Sequence, residues 1–151
     1  MITEVIEHEG KERTGRAMYA MVSDHWRDLG IYLSFAFPDW FALVRSIPYL
    51  SDDERFPNRV LETVSRPAWS LDTRLLPRID CKKKAVLIAS WANGHGLPFR
   101  FIAVSHDKSK TIHHVFPQID FGHGWVNVDA TFPTFGIGDS QPATYAEVLL
   151  P

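Results

Sequence analysis

The chain has 151 residues, the size of one domain that can enclose an apolar core, and its 45% hydrophobic, 23% charged composition excludes a disordered or collagen-like protein. A formal net charge of −2 at pH 7 excludes a dedicated nucleic-acid binder, for which the run Lys82-Lys83-Lys84 is too small a basic footprint. The single cysteine excludes an internal disulfide framework and fits a reducing, cytoplasmic setting.

The N-terminal stretch is acidic and mixed, with no basic start leading into an apolar run, so no signal peptide is expected. From Glu12 to Leu29 the apolar residues Ala17, Met18, Met21, Val22, Trp26 and Leu29 recur near the helical period, and Gly30 is expected to stop that helix. The apolar stretch from Ile31 to Val44 is broken by Ser34, Pro38 and Asp39, which argues against a membrane span. A second helical piece is expected to open at Ser51-Asp52-Asp53-Glu54, bracketed by Pro57 and Pro67. Residues 1 to about 70 therefore read as a helical, irregular N-terminal part, with the stretch around Pro38 and Pro48 left unassigned.

The second half has a plainer plan. Asp80 suits an N-cap, and Cys81 to Asn93 reads as a helix rich in Ala, Leu and Ile that stops at Gly94-His95-Gly96 before Pro98. Three strand-like runs follow, at Phe99 to Ser105, Thr111 to Ile119 and Trp125 to Thr131, separated by a polar turn and by the glycine-bearing turn 120–124. One helix feeding an antiparallel sheet makes an α+β domain, and the whole chain reads as a single unit.

Chemistry concentrates in that half. A cysteine reacts as its thiolate, and the first turn of a helix favours that form through unpaired N–H groups and the helix dipole. Cys81 stands there, behind Asp80 and beside Lys82, Lys83 and Lys84. The same N–H groups suit the oxyanion of a tetrahedral intermediate. A lone cysteine before an apolar helix is equally a small core residue, so its partners decide.

A cysteine nucleophile needs an imidazole held by a third group. Pairing of the last two strands about the Gly122–Gly124 turn would make His114 and Asp129 approximate cross-strand neighbours. Alternation puts Ile112, His114, Phe116 and Gln118 on one face and His113 with Val115 on the other. The bulkier His114 set suits the covered face, although either histidine remains open on this ground alone.

Four elements together resemble the transglutaminase-like superfamily, especially its compact bacterial and phage versions. They are Asp80-Cys81 opening an apolar helix, Gly96-Leu97-Pro98-Phe99-Arg100-Phe101, His114-Val115-Phe116, and Trp125-Val126-Asn127-Val128-Asp129-Ala130-Thr131. The order Cys, His, Asp and the spacings of 33 and 15 residues agree, and the likeness spans residues 74–135. It implies a papain-like core with Cys81 as nucleophile, His114 as base and Asp129 as orienting acid, acting without a cofactor on an amide of a protein or peptide. It also makes Trp69 the candidate second oxyanion donor. Departures are Ile79 where many relatives have Gly, Lys82 and Lys83 where many have acidic residues, and Pro117 within a strand.

Two rival readings follow. One is a silent member of the fold, serving as a phage or bacterial structural or binding module. The other is a metal site drawn from Cys81, His113, His114, His123 and Asp129, whose spacing contains neither a Cys-x-x-Cys nor a His-Glu-x-x-His pattern. Outside these sets, His95 reads as a helix-exit surface residue, the aromatic string from Tyr32 to Phe41 as core, and Asn127 and Gln118 as residues sharing faces with Asp129 and His114.

Overall fold

A computed structural model describes residues 3–7, 11–50, 61–105 and 114–151. The apolar run behind Asp80 forms helix α4, Cys81–Gly94, and every residue from Cys81 to Ala92 is buried. A helix enclosed on all sides is a central element rather than an amphipathic surface one. The others surround it. Strand β1, Thr3–Glu7, and helix α1, Lys11–His25, come first. A 3-10 segment, Trp26–Ser34, leads to helix α2, Phe37–Ser46. Strand β2, Leu61–Ser65, and the short helix α3, Pro67–Leu71, precede α4.

Beyond α4, strands β3 (Phe99–Ser105), β4 (His114–Asp120), β5 (Trp125–Asn127) and β6 (Tyr145–Val148) form one antiparallel sheet in the order β5-β4-β3-β6. The architecture is α+β, a buried helix on a small antiparallel sheet with a mainly helical N-terminal part. Phe101, Ala103 and Val115 pack with Cys81, Val86 and Ala89 of α4 and with Met18 and Val22 of α1. Further along α4, Leu87, Ile88 and Trp91 pack with Trp40, Phe41 and Ile119. The aromatic string is thus core, and two indoles pin it to backbone: Trp40 Nε1 donates to the Leu87 carbonyl at 3.2 Å and Trp91 Nε1 to that of Phe35 at 3.0 Å.

Several expectations need correction. The first helix ends at His25, and Gly30, with φ 55°, breaks the 3-10 segment instead of closing the helix. Pro38 sits in the first turn of α2, where a missing N–H costs nothing, so the unassigned stretch is a helix. Leu61–Ser65 is a strand paired antiparallel with β1. The helical start expected at Ser51 lies outside the described residues. Strand β3 matches its expected range, β5 stops at Asn127 rather than running to Thr131, and β6 was not foreseen.

Candidate active site

Asp80 fixes where α4 begins. Its Oδ1 accepts from the Lys83 N–H at 3.0 Å, the N-cap bond, and its main-chain carbonyl accepts from Lys84 N at 3.1 Å. The approach to the cap is fixed as well: Ile79 N donates to the Pro48 carbonyl at 2.9 Å, and Leu50 N to the Ile79 carbonyl at 3.1 Å. Cys81 is therefore the first helical residue, its own N–H without an intrahelical partner, and its side chain is buried.

The lysine run is not a surface patch. Lys82, Lys83 and Lys84 are 6%, 1% and 2% exposed. Lys82 Nζ lies 2.6 Å from Asp80 Oδ2 and Lys83 Nζ 3.6 Å from Asp80 Oδ1. Burial works against an ionised Asp80, but the charges of Lys82 and Lys83 and the hydrogen bonds they make hold its carboxyl well below the usual carboxylate range. A buried charged cluster thus adjoins the cysteine in the first turn of α4, where the sequence alone marks only nearby positive charge.

His114 is the first residue of β4. Its Nε2 lies 2.6 Å from Asp129 Oδ2, and both side chains are buried. The Cys81 side chain lies close enough to the ring to favour its charged form. With Nε2 engaged by the carboxylate, Nδ1 is the ring nitrogen left for another partner. Burial disfavours the charged ring, yet the hydrogen bond to Asp129 and the nearness of Cys81 overcome it and raise the His114 pKa to about 10. The rings of Phe116 and Phe132, with centroids 5.9 and 5.4 Å away, wall the imidazole. Asp129 is held by its own turn, since Oδ1 accepts from Thr131 N at 3.0 Å.

The register differs from the expected one by two residues. Gln118 pairs with Asn127 and Asp120 with Trp125, and the ladder stops there. A shift of two preserves which face each side chain takes, so His114 and Asp129 still share a face and meet on the diagonal. The packing expectation for that face is overturned. Val115 and Ile119 pack toward α4, whereas Phe116 groups with Ile102 and Val104 in a separate cluster.

The remaining sequence candidates fall elsewhere. Trp69 is half-buried in α3, which Arg66 anchors by a two-pronged ion pair to Asp28, both bonds at 2.8 Å. Gln118 and Asn127 bond each other at 2.8 Å, and Gln118 Oε1 accepts from Arg100 Nε at 2.8 Å, four residues along β4 from His114. His95 does more than sit on the surface: it stacks on Trp91 and bonds the Leu33 carbonyl at 2.7 Å. His113 lies outside the described residues, and among the described residues no group of three His, Cys, Asp or Glu side chains could hold a metal ion.

Two groups near the site were missed from sequence. Phe132 lies just past the motif, and no pattern marked it. The buried Lys84 counts from sequence only as one charge of the lysine run, although its place one helical turn beyond the cysteine puts it on the same side of the helix.

No protein-family model matches the chain. No curated protein matches either. Among solved structures the chain is similar to a candidate cysteine protease from Cytophaga hutchinsonii, at 14% identity and a TM-score of 0.42. The overlap covers 95% of this chain and 48% of that one, so the chain spans about half the length of that protein. No helix among the described residues is long and apolar enough to cross a membrane.

Proposed function

We propose that the chain is a cysteine acyl-transfer enzyme of the transglutaminase-like kind, acting on amide bonds of a protein or peptide. The observation that carries this reading is the His114 ring, which lies 2.6 Å from the Asp129 carboxylate and is held in its charged form partly by the Cys81 side chain near it. Cys81 attacks the amide carbonyl and the carbonyl oxygen becomes an oxyanion. The Cys81 N–H and the N-terminal dipole of α4 favour that charge. His114, protonated at neutral pH, gives its proton to the departing amine, leaving an acyl thioester on Cys81 and a neutral ring. Water, or an amine acceptor, then attacks the thioester while His114 takes the proton back. Asp129 steadies the imidazolium and fixes which nitrogen serves the sulfur.

The test is the rate at which iodoacetamide alkylates Cys81, the chain's one cysteine, compared with a free cysteine between pH 5 and 8. Alkylation well above the free-thiol rate at pH 6, lost in His114→Gln, is the expected result. A wild-type rate no greater than the free thiol at every pH would remove the activated nucleophile and leave the chain as a binding module built on this fold.

A further inference from the structure

The catalytic reading leaves one buried charge unused. Lys84 is 2% exposed, and its ammonium donates to two main-chain carbonyls, those of Arg45 and Ala130, each at 3.3 Å. The Arg45 carbonyl belongs to the last turn of α2, where carbonyls lack a helical partner. The Ala130 carbonyl belongs to the residue after Asp129, three residues past the end of β5. Val128, just before Asp129, still donates to the Pro117 carbonyl of β4 at 3.1 Å, whereas the residue just after it is tied to a lysine rising from α4. A second tie runs the same way, since Arg45 Nη1 donates to the Phe135 carbonyl at 2.8 Å.

We propose that Lys84 is the positioning residue for the His114–Asp129 pair, a cationic post on the nucleophile's own helix that fixes the turn carrying Asp129. This role presupposes that Cys81, His114 and Asp129 work as a triad. Its logic is geometric. Cys81 and Lys84 lie three residues apart on one rigid helix, so the sulfur and the carboxylate are referenced to the same element instead of to a three-residue edge strand. A leucine could fill the same space, but it could satisfy neither carbonyl, and one buried and one part-buried carbonyl would lose this partner.

The charged groups around Lys84 are few. Asp129 faces it from the turn, with His114 of β4 beyond, and the Arg45 guanidinium lies on the α2 side, 5.6 Å above the Phe41 ring. On its own helix, Asp80, Lys82 and Lys83 form the preceding cluster. Burial lowers the Lys84 pKa to about 8 against the pull of Asp129, so the ammonium is kept at a cost that an apolar core residue would not incur.

The experiment is histidine-ring NMR of the whole chain, wild type against Lys84→Met and Lys84→Gln, following the His114 midpoint, with alkylation of Cys81 measured in parallel. Loss of a nearby positive charge alone would raise the His114 midpoint. Loss of the anchor lets Asp129 drift and lowers it. A fall of one unit or more, a tenfold weakening of proton binding, is expected in both variants. An unchanged or raised midpoint in a folded variant overturns the proposal. Should neither variant fold, Lys84→Arg decides: it keeps the charge but cannot place one nitrogen between the two carbonyls, so a lowered His114 midpoint is expected, and an unchanged or raised one overturns the proposal. The midpoint reports on positioning and wild-type alkylation reports on the triad, so either can fail while the other stands.

Discussion

The two ends of α4 are built by opposite means. At the start, a carboxylate, three ammonium groups, a thiol and a histidine–aspartate pair are buried within a few residues of one another. At the far end, the closing residue Gly94 is pressed between Leu33 and Trp26, and Trp91 stacks beneath His95. The far end is stabilised by apolar contact, which asks only for shape. The near end concentrates groups that are costly to desolvate, and such clusters are retained where they do chemistry or fix a unique arrangement. The first turn of α4 thus combines polar groups with packing, whereas its last turn relies on packing.

That contrast is open to direct attack. The largest effect is expected from His114→Gln, which removes both the proton donor and the partner of Asp129; amide turnover should drop roughly 10²–10⁴-fold with the fold retained. Near-wild-type turnover would detach the near end from chemistry altogether. Asp80→Ala should cost about 3–5 kcal/mol in urea unfolding, because it removes the cap and leaves the buried Lys82 and Lys83 short of a carboxylate. If Asp80→Asn, which keeps the cap and loses the charge, is as stable as wild type, the ion cluster contributes nothing.

At the far end, Gly94→Ala puts a methyl 2.7 Å from Leu33 Cδ2 and 2.9 Å from the Trp26 ring, and should cost about 1–3 kcal/mol. Alkylation of Cys81 per folded molecule should not change. A slowed alkylation would show that the two ends are coupled after all.

The smallest effect is in the pH dependence. The folded chain raises the His114 pKa from 6.5 to about 10, so this stabilisation is complete below pH 6.5 and is withdrawn as pH climbs through 10. Lys84 has the opposite sign: its pKa falls from 10.5 to about 8, so its cost is complete below pH 8 and lifts above it. Stability should decline by at most about 1.4 kcal/mol per unit from pH 7 to 8 and level off beyond. Loss of that decline in His114→Gln would attribute it to the ring.

How far the chain was legible follows the range of its interactions. The Asp80 cap, α4 and β3 are local patterns, and each stood where the residues placed it. Strand β2 was not legible, because its partner is Thr3–Glu7 and no local pattern joins segments so far apart. The early end of β5 escaped notice because Asp129 uses its own carboxylate to turn the chain at Thr131, a side-chain choice that strand periodicity does not record. The meeting of His114 and Asp129 was foreseen through a register two residues off, and it survived because that error preserves the face. The lysines misled most. Three consecutive cations read simply as positive charge near the cysteine, and the proximity of Asp80 and of carbonyls from α2 and the Asp129 turn helps make their burial affordable.

That burial has a practical corollary. A protease cutting after lysine, or an acylating reagent, meets no target at Lys82, Lys83 or Lys84 while α4 is intact, so modification there would register only excursions that open the centre of the molecule. The run is a built-in gauge of how often α4 leaves its seat.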